Sequence, residues 1–481
     1  MGDKNGSLPS SIIIPSETEC NQDVNHTIPL TDFNLSQPVP EITEKTTLEA
    51  VGIIAVLTGV TFISVSGSGI LTTALPRIAL DINLDQDLIF WPASVYSLAA
   101  GCTLLPFGAL SNIVGSKLLW LIGSGFSSLF ILCCGLARTG IQFIIFRAIL
   151  GIFVAMCLPT SMSLVTASFP PGSKRNVAFA VTGADIKVRY TFSRSILHRI
   201  DLVGVIILST ALALLSYVLA MITLNYQRIS DAQNIALLVI SVLLFPVFSA
   251  WEGQQERFQK ATLIPNSLWT NTPFLLICVS MFFTWAAFNA FQYQSSLYFQ
   301  DVQDLSALQA SIRFLPMAVV GVLINSVTAY LVTKINVNIL LGISALITAV
   351  SPILMALSDP KWSYWNSTFV AIVLSPISGD VLWTVSSLII SRSFPSDSQG
   401  LAGGVFSTIS QLGNSVGLAI TAVIAASVTA HKQQDNPSLS AETLLLQGYR
   451  AAYWTILAGM ILVCLASSGL RRVGKVGIKY D

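Results

Sequence analysis

Charge is what this sequence has least of. Only 10% of its 481 residues are Asp, Glu, Lys or Arg, against 53% hydrophobic, whereas soluble domains carry roughly 25% charged residues. So little charge excludes an ordinary soluble enzyme and points to an all-α polytopic membrane protein. The 25 basic and 24 acidic residues nearly cancel, and no basic run is interleaved with aromatics, so nucleic-acid binding is not expected. Histidine is nearly missing. His26, His198 and His431 each lie in a tail or loop, which excludes an intramembrane metal site or histidine relay. Cys102, Cys133, Cys134, Cys157, Cys278 and Cys464 fall in apolar runs without C-x-x-C spacing, as small packing residues do. Neither a G-x-x-x-x-G-K-S/T loop nor an H-E-x-x-H pair nor a Ser/His/Asp set is present. Direct ATP use and hydrolytic catalysis are therefore not expected, and no cofactor is implied.

What the chain has instead is apolar runs of about twenty residues, enough to cross a hydrocarbon core of about 30 Å. They fall near 51–73, 91–110, 117–136, 141–166, 202–222, 234–251, 273–293, 312–332, 338–357, 367–389, 402–428 and 451–470, about twelve spans. Before them lies a polar Ser-, Thr-, Asn- and Pro-containing stretch, read as a disordered tail. Its N-x-S/T triplets at Asn5, Asn25 and Asn34 can be glycosylated only outside the cytoplasm.

Lys and Arg set the orientation. With the amino terminus inside, the cytoplasmic side receives Lys117, Lys174, Arg175, Lys187, Arg189, Arg194, Arg199, Arg257, Lys260, Lys334, Arg392, Arg471, Arg472, Lys475 and Lys479. The other side receives Arg77, Arg138, Arg228, Arg313, Lys361, Lys432 and Arg450. Both termini are therefore expected in the cytoplasm, with the tail triplets unmodified.

The stretch Trp91 to Gly123, WPASVYSLAAGCTLLPFGALSNIVGSKLLWLIG, resembles the second span and following loop of the major facilitator superfamily, whose loop motif is G-x-L-A-D-R-x-G-R-K. Gly108, Leu110, Gly115 and Lys117 occupy motif places, while Asn112, Ile113 and Ser116 depart from it. FRAILGIFVA resembles the fourth-span motif R-x-x-Q-G-x-G-x-A: Arg147, Gly151 and Ala155 match, and Leu150 and Phe153 do not. In the later half FNAFQYQSSLYFQ, LPMAVVGVL and GLAGGVFSTISQLGNSVGLAI resemble the fungal fourteen-span drug:proton antiporters. The likeness runs from about Val51 to Arg472. It implies two helical bundles that rock about a midplane site and exchange a small-molecule substrate for protons. A monomer in the plasma membrane is expected, with a vacuolar or other internal membrane as the alternative.

One gap interrupts the likeness. AFAVTGADIKVRYTF, at 178–192, starts like the fifth antiporter span and becomes a basic loop within about nine residues, and no Gly-Pro pair occurs between Gly183 and Asp201. As a helix, Val177 to Ala184 reaches only about 12 Å. The favoured reading is a fourteen-span transporter lacking most of spans five and six. Losing two spans preserves the downstream orientation. The competing reading is a plain six-plus-six transporter in which the runs at 202 and 234 are the fifth and sixth spans. Under the first, 1–48 is the cytoplasmic tail, 49–184 an incomplete first bundle of four spans and a stub, and 185–201 a basic cytoplasmic loop. The two middle spans then occupy 202–251, a cytoplasmic linker 252–271, a six-helix bundle 272–472 and a second tail 473–481.

Unpaired polar groups facing lipid are costly, so polar stripes on spans mark a cavity or a helix contact. Trp285, Asn289, Gln292, Tyr293 and Ser296 share one face by their spacing, and with Gln411 and Asn414 are the substrate-cavity candidates. Ser410, Asn414, Gly417 and Thr421 form a second stripe, and Thr61, Ser64, Ser68 and Thr72 a third. Packing between helices is the alternative for the Ser and Thr members, and Gly413 and Gly417 form a G-x-x-x-G close-packing face. Two charges lie inside spans. A carboxylate as deep as Asp380 costs on the order of 3 kcal/mol to insert. Asp380 is a proton carrier, half of a structural helix pairing, or a loop residue beyond a misplaced boundary. Arg147, six or so residues from the end of its span, either reaches for the interface or, as the resemblance implies, joins the coupling machinery. The expected activity is proton-coupled efflux of small amphipathic organic molecules such as drugs or toxins. The alternatives are transport of a small polar or ionic solute and a truncated membrane protein that no longer transports.

Overall fold

Within lipid a long apolar run satisfies its backbone groups only as a helix or a closed barrel, and the computed structural model of the chain makes these runs helices. It describes Ile78, Asp81, Ile82 and residues 91–168 and 201–470, except 225, 259, 261, 265, 267–268, 270–271 and 394–398. The tail, the run at 51–73 with its Thr/Ser stripe, the stretch at 178–192 and the basic loop lie outside the described residues.

The described helices are α1 (Trp91–Val114), α2 (Ser116–Leu136), α3 (Gly140–Ser168), α4 (Leu202–Leu224), α5 (Ala232–Arg257), α6 (Thr272–Leu297), α7 (Ala307–Leu331), α8 (Val337–Leu357), α9 (Thr368–Leu374), α10 (Ile377–Ser393), α11 (Gln399–Asp435) and α12 (Ala441–Gly469). Eleven of the twelve expected runs coincide with them. The tenth is interrupted, α9 ending at Leu374 and α10 starting at Ile377, on either side of Ser375 and Pro376. Helix starts obey local chemistry. Ser306 accepts from the Gln309 N–H at 3.3 Å while the Gln309 side chain accepts from the Ser306 N–H at 3.1 Å, a reciprocal cap that opens α7.

Packing divides the helices by their small residues and apolar faces. α1 lies on α3 and α11, α2 on α3, α6 on α11 and α12, α8 on α12, and α7 on α9 and α10. Of two large apolar clusters, one runs from Leu105 of α1 and Leu208 of α4 to Ile277, Met281, Leu382 and Phe406, and the other lies in the later half around Phe291, Tyr298, Ile372 and Tyr453. A Cβ on Gly417 would collide with the Ala286 carbonyl, and one on Gly413 with that of Phe282. The G-x-x-x-G is thus the face on which α11 meets α6, as its spacing suggests.

The middle pair has a distinct place. α4 packs on α1, α5 and α11; Ser209 donates to the Cys102 carbonyl of α1 at 2.8 Å, and Ser241 of α5 to the Ala211 carbonyl at 2.8 Å. α4 thus covers the α1–α11 seam, and α5 lies against α4. α7, in contrast, bares a stripe of Leu308, Ile312, Leu315, Val319, Val322 and Tyr330, each more than half exposed.

Candidate functional site

Arg147 is placed by a glycine. At Gly151, one turn further along α3, a Cβ would strike the Tyr96 carbonyl and stand 3.1 Å from the Ala99 Cβ, so only glycine lets α1 lie this close. The approach brings Pro92 and Tyr96 over Arg147. Its Nε donates to the Pro92 carbonyl at 3.1 Å, and its guanidinium carbon stands 4.5 Å from the centre of the Tyr96 ring. Arg147 is 5% exposed. Its donors find a carbonyl and an aromatic face inside the protein. Beside it opens a cavity of about 640 Å³, lined by Asp81, Tyr96, Cys134, Arg138 and Arg147 among apolar groups.

In the other half, the amides converge. The Asn289 Nδ2 of α6 donates to the Asn414 Oδ1 of α11 at 2.5 Å, and the Asn414 Nδ2 donates to the Gln411 Oε1 at 2.8 Å. Trp285, one turn below Asn289, directs its Nε1–H at the Met281 sulfur, 3.1 Å away, and meets Trp383 of α10 edge to face at 6.0 Å. Asn289, Asn414, Gln411 and Trp285 thus form one polar and aromatic layer. Gln292 and Tyr293 are half-buried on the same helix, outside that hydrogen-bonded chain. The second stripe divides. Ser410 donates to the Ser407 carbonyl, and Thr421 to the Gly417 carbonyl, so these two serve their own helix. Gly417 and Thr421 lie beside an apolar groove of about 220 Å³ between α6, α11 and α12.

Asp380 lies in the first turn of α10, directly after the break, where the helix dipole favours a carboxylate. The run places it mid-span; the break makes it a helix-start residue instead, and it is not in a loop. Its neighbour across the interface is α7. A Cβ on Gly321 would stand 3.1 Å from the Asp380 Oδ2, and Asn325, one turn on, lies beside the carboxyl. Thr384 donates to the Asn325 Oδ1 at 3.1 Å, and the Asn325 amide to the Gly321 carbonyl at 3.0 Å. Among the described residues no basic side chain pairs with Asp380, so its helix-pairing partner is an amide. No hydrogen bond or ion pair joins it to Arg147.

The loop motif folds as a hinge. Gly115, with φ 99° and ψ 131°, is the only described glycine in the left-handed half of φ, and its lack of a Cβ lets α1 turn directly into α2. Gly108 faces Gly404 of α11, whose Cβ would come within 3.4 Å of the Gly108 Cα. Lys117 is half-buried at the start of α2.

Asn325, Trp383 and Gly404 escape reading of the sequence because each acts through a residue distant in the chain. Gln294 escapes too, although its amide is 1% exposed without a hydrogen-bond partner and Thr284 Oγ1 is similarly orphaned. A polar residue amid bulky apolar neighbours is the signal that finds such positions.

The pattern of the Major Facilitator Superfamily matches residues 57–418. The chain belongs to this superfamily. It is 40% identical to the "MFS-type transporter 1" of Pyricularia oryzae, across 89% of this chain and 85% of that protein. It is 24% identical to the "Efflux pump terJ" of Aspergillus terreus, across 85% of this chain and 84% of the pump. In fold it is similar to the human organic anion transporter MFSD10 (TETRAN), with TM-score 0.55 at 13% identity, across 88% of this chain and all of that one. This superfamily member is a transporter rather than an enzyme, and its setting is the lipid bilayer.

Proposed function

We propose that this transporter exports small amphipathic organic molecules from the cytoplasm, driven by protons. The observation that carries this reading is the amide and indole layer of Asn289, Asn414, Gln411 and Trp285. Its edges offer donors, acceptors and aromatic faces in an apolar bundle, a set that suits organic molecules of mixed polarity. Similarity to the Aspergillus terreus efflux pump and, at 24% identity, to the "Cephamycin export protein CmcT" of Amycolatopsis lactamdurans supports export. Asp380, held by Asn325, is the proton carrier, and Arg147 poises the opposite half. The halves rock about the Gly108–Gly404 crossing. The protein works as a monomer in the plasma membrane. Its test is reconstitution in proteoliposomes with an imposed proton gradient: gradient-dependent movement of organic substrates supports the reading, and equal movement without a gradient refutes proton coupling.

A second reading rests on the cavity beside Arg147, whose charged lining of Asp81, Arg138 and Arg147 suits a small ionic solute. The "Low affinity ammonium transporter" of Saccharomyces cerevisiae is 24% identical across 69% of this chain. Competition of ammonium or a small anion with an organic substrate separates the two.

We also infer that this form lacks most of two spans and transports poorly. The alignment with the Pyricularia transporter runs over 522 positions yet takes in 89% of this 481-residue chain. By these figures it holds about 428 residues of the chain, so about 94 positions have no residue here. Two spans with their loops account for a deficit of that size. The place of α4 on the α1–α11 seam, with α5 against it, and the bare face of α7 support the same view, because among the described residues neither middle helix packs on α7. Restoring the missing stretch is expected to raise transport in the same proteoliposomes, and equal rates would refute the inference.

A further inference from the structure

Two buried carboxyl groups have no part in the scheme above. Asp201 precedes α4 and accepts from the Gly204 N–H at 3.0 Å, the hydrogen bond of a helix cap. The Trp251 indole of α5 donates to both its oxygens, at 3.0 and 2.8 Å. The next residue, Glu252, is 0% exposed and Asp201 6%. Glu252 accepts from the Leu263 N–H through both oxygens at 3.1 Å and from the Ile264 N–H at 3.4 Å. Gly204 leaves room for the meeting. A Cβ there would collide with the Asp201 Oδ2 and stand 2.8 Å from the Glu252 Oε1.

The Asp201 and Glu252 carboxyls face each other, because the Asp201 Oδ2 and the Glu252 Oε1 both lie within 2.8 Å of the place a Gly204 Cβ would take. Ionised carboxylates only accept hydrogen bonds, so two of them bridge only through a shared proton, and without it two like charges face each other at close range. The groups that face Glu252 are Asp201 from the start of α4, the non-titrating indole of Trp251, and the two linker N–H groups. Arg257 and Lys260 follow at the end of α5, yet among the described residues neither they nor any other base pairs with either carboxyl. Among the described residues no positive charge offsets the repulsion once the proton leaves. The linker held at Leu263 and Ile264 leads into α6, the helix that carries Trp285 and Asn289.

We propose that Asp201 and Glu252 are positioning residues, a proton-bridged clamp that fastens the middle helix pair to the linker and so sets the placement of α6 for transport. Loss of the shared proton loosens the α4 start from Glu252 at the end of α5, leaving the Trp251 indole as the remaining tie. The effect on transport rests on the reading above; the clamp itself does not.

The test is hydrogen–deuterium exchange on the full chain in lipid nanodiscs, corrected for intrinsic rates. Exchange around 202–206 and 262–266 is expected to rise about tenfold from about pH 5.5 to about pH 8.5. In Glu252→Gln the new amide donates to Asp201 without a titrating proton, and its oxygen keeps the linker contacts, so exchange stays low at both pH values. Asp201→Asn predicts the same and serves where the first variant does not fold. A flat profile in the unaltered protein, or an unchanged pH response in the variants, overturns the clamp. A pH-dependent release in a chain that moves no substrate supports the clamp and overturns the transport reading.

Discussion

Asn289 of α6 and Asn414 of α11, 125 residues apart, share a hydrogen bond of 2.5 Å. α11 also packs on α1 and α4, so this bond lies on the helix that links the later half to the rest. Amide bonds between membrane helices contribute about 0.6 kcal/mol on average and up to about 2 kcal/mol. If the layer also contacts substrate, changing it alters selectivity more than stability. Asn414→Leu is expected to insert at near-normal abundance, and Asn289→Ala with Asn414→Ala to show coupling of about 0.5–2 kcal/mol in a double-mutant cycle. A substrate profile unchanged in Asn414→Leu would remove the layer from recognition.

Asp380→Asn keeps the shape and the Asn325 contact but not the titratable proton. Gradient-driven transport should fall at least about tenfold, while substrate exchange at equal pH persists and abundance stays near normal. Unchanged transport across pH rules Asp380 out as the carrier. Loss of protein from the membrane instead favours a helix-pairing role.

Arg147→Lys keeps the charge but cannot reproduce the planar donor set on the Pro92 carbonyl and Tyr96 ring. Transport is expected to drop about tenfold or more with a modest loss of thermal stability. Equal transport in the two forms, measured in the same vesicles, would show that charge alone suffices.

Close approach of helices makes a sharper structural forecast. Gly417→Leu forces a branched side chain against the Ala286 backbone and should destabilise by about 1–3 kcal/mol or more. Gly459→Leu, at a position with nothing within 4 Å of a Cβ, should be near neutral. Thermal unfolding of the pair in one detergent checks the contrast.

Orientation follows from the Lys and Arg distribution. An epitope after Asp481, and one in the loop from Lys174 to Arg199, should resist protease added outside sealed right-side-out vesicles. Cleavage of either from outside reverses the topology.

Periodic and compositional features are the ones a single sequence displays openly. Runs of twenty apolar residues become helices because lipid offers their backbone no other partner, which is why eleven of twelve runs recur as helices among the described residues. Gly115, Gly151, Gly413 and Gly417 are legible as well, because only the smallest residue permits a sharp turn or a touching backbone, whatever the partner.

Identity of the partner is what the tertiary structure decided. Asp380 stands out along the chain as a charge in an apolar run, yet its Asn325 comes from α7, and the break at Ser375 and Pro376 makes it a helix-start residue. Arg147 stands out as a charge near the end of its run, yet Pro92 and Tyr96, which close over it, come from α1. The place of α4 on the α1–α11 seam, with α5 against it, follows from hydrogen bonds such as Ser209 to Cys102 and Ser241 to Ala211, which no periodicity encodes. Asp201 and Glu252, 51 positions apart in the chain, read as ordinary span-end charges. Only folding takes both out of water and sets them face to face, because burial and pairing depend on distances through space, and a sequence fixes distances only along the chain.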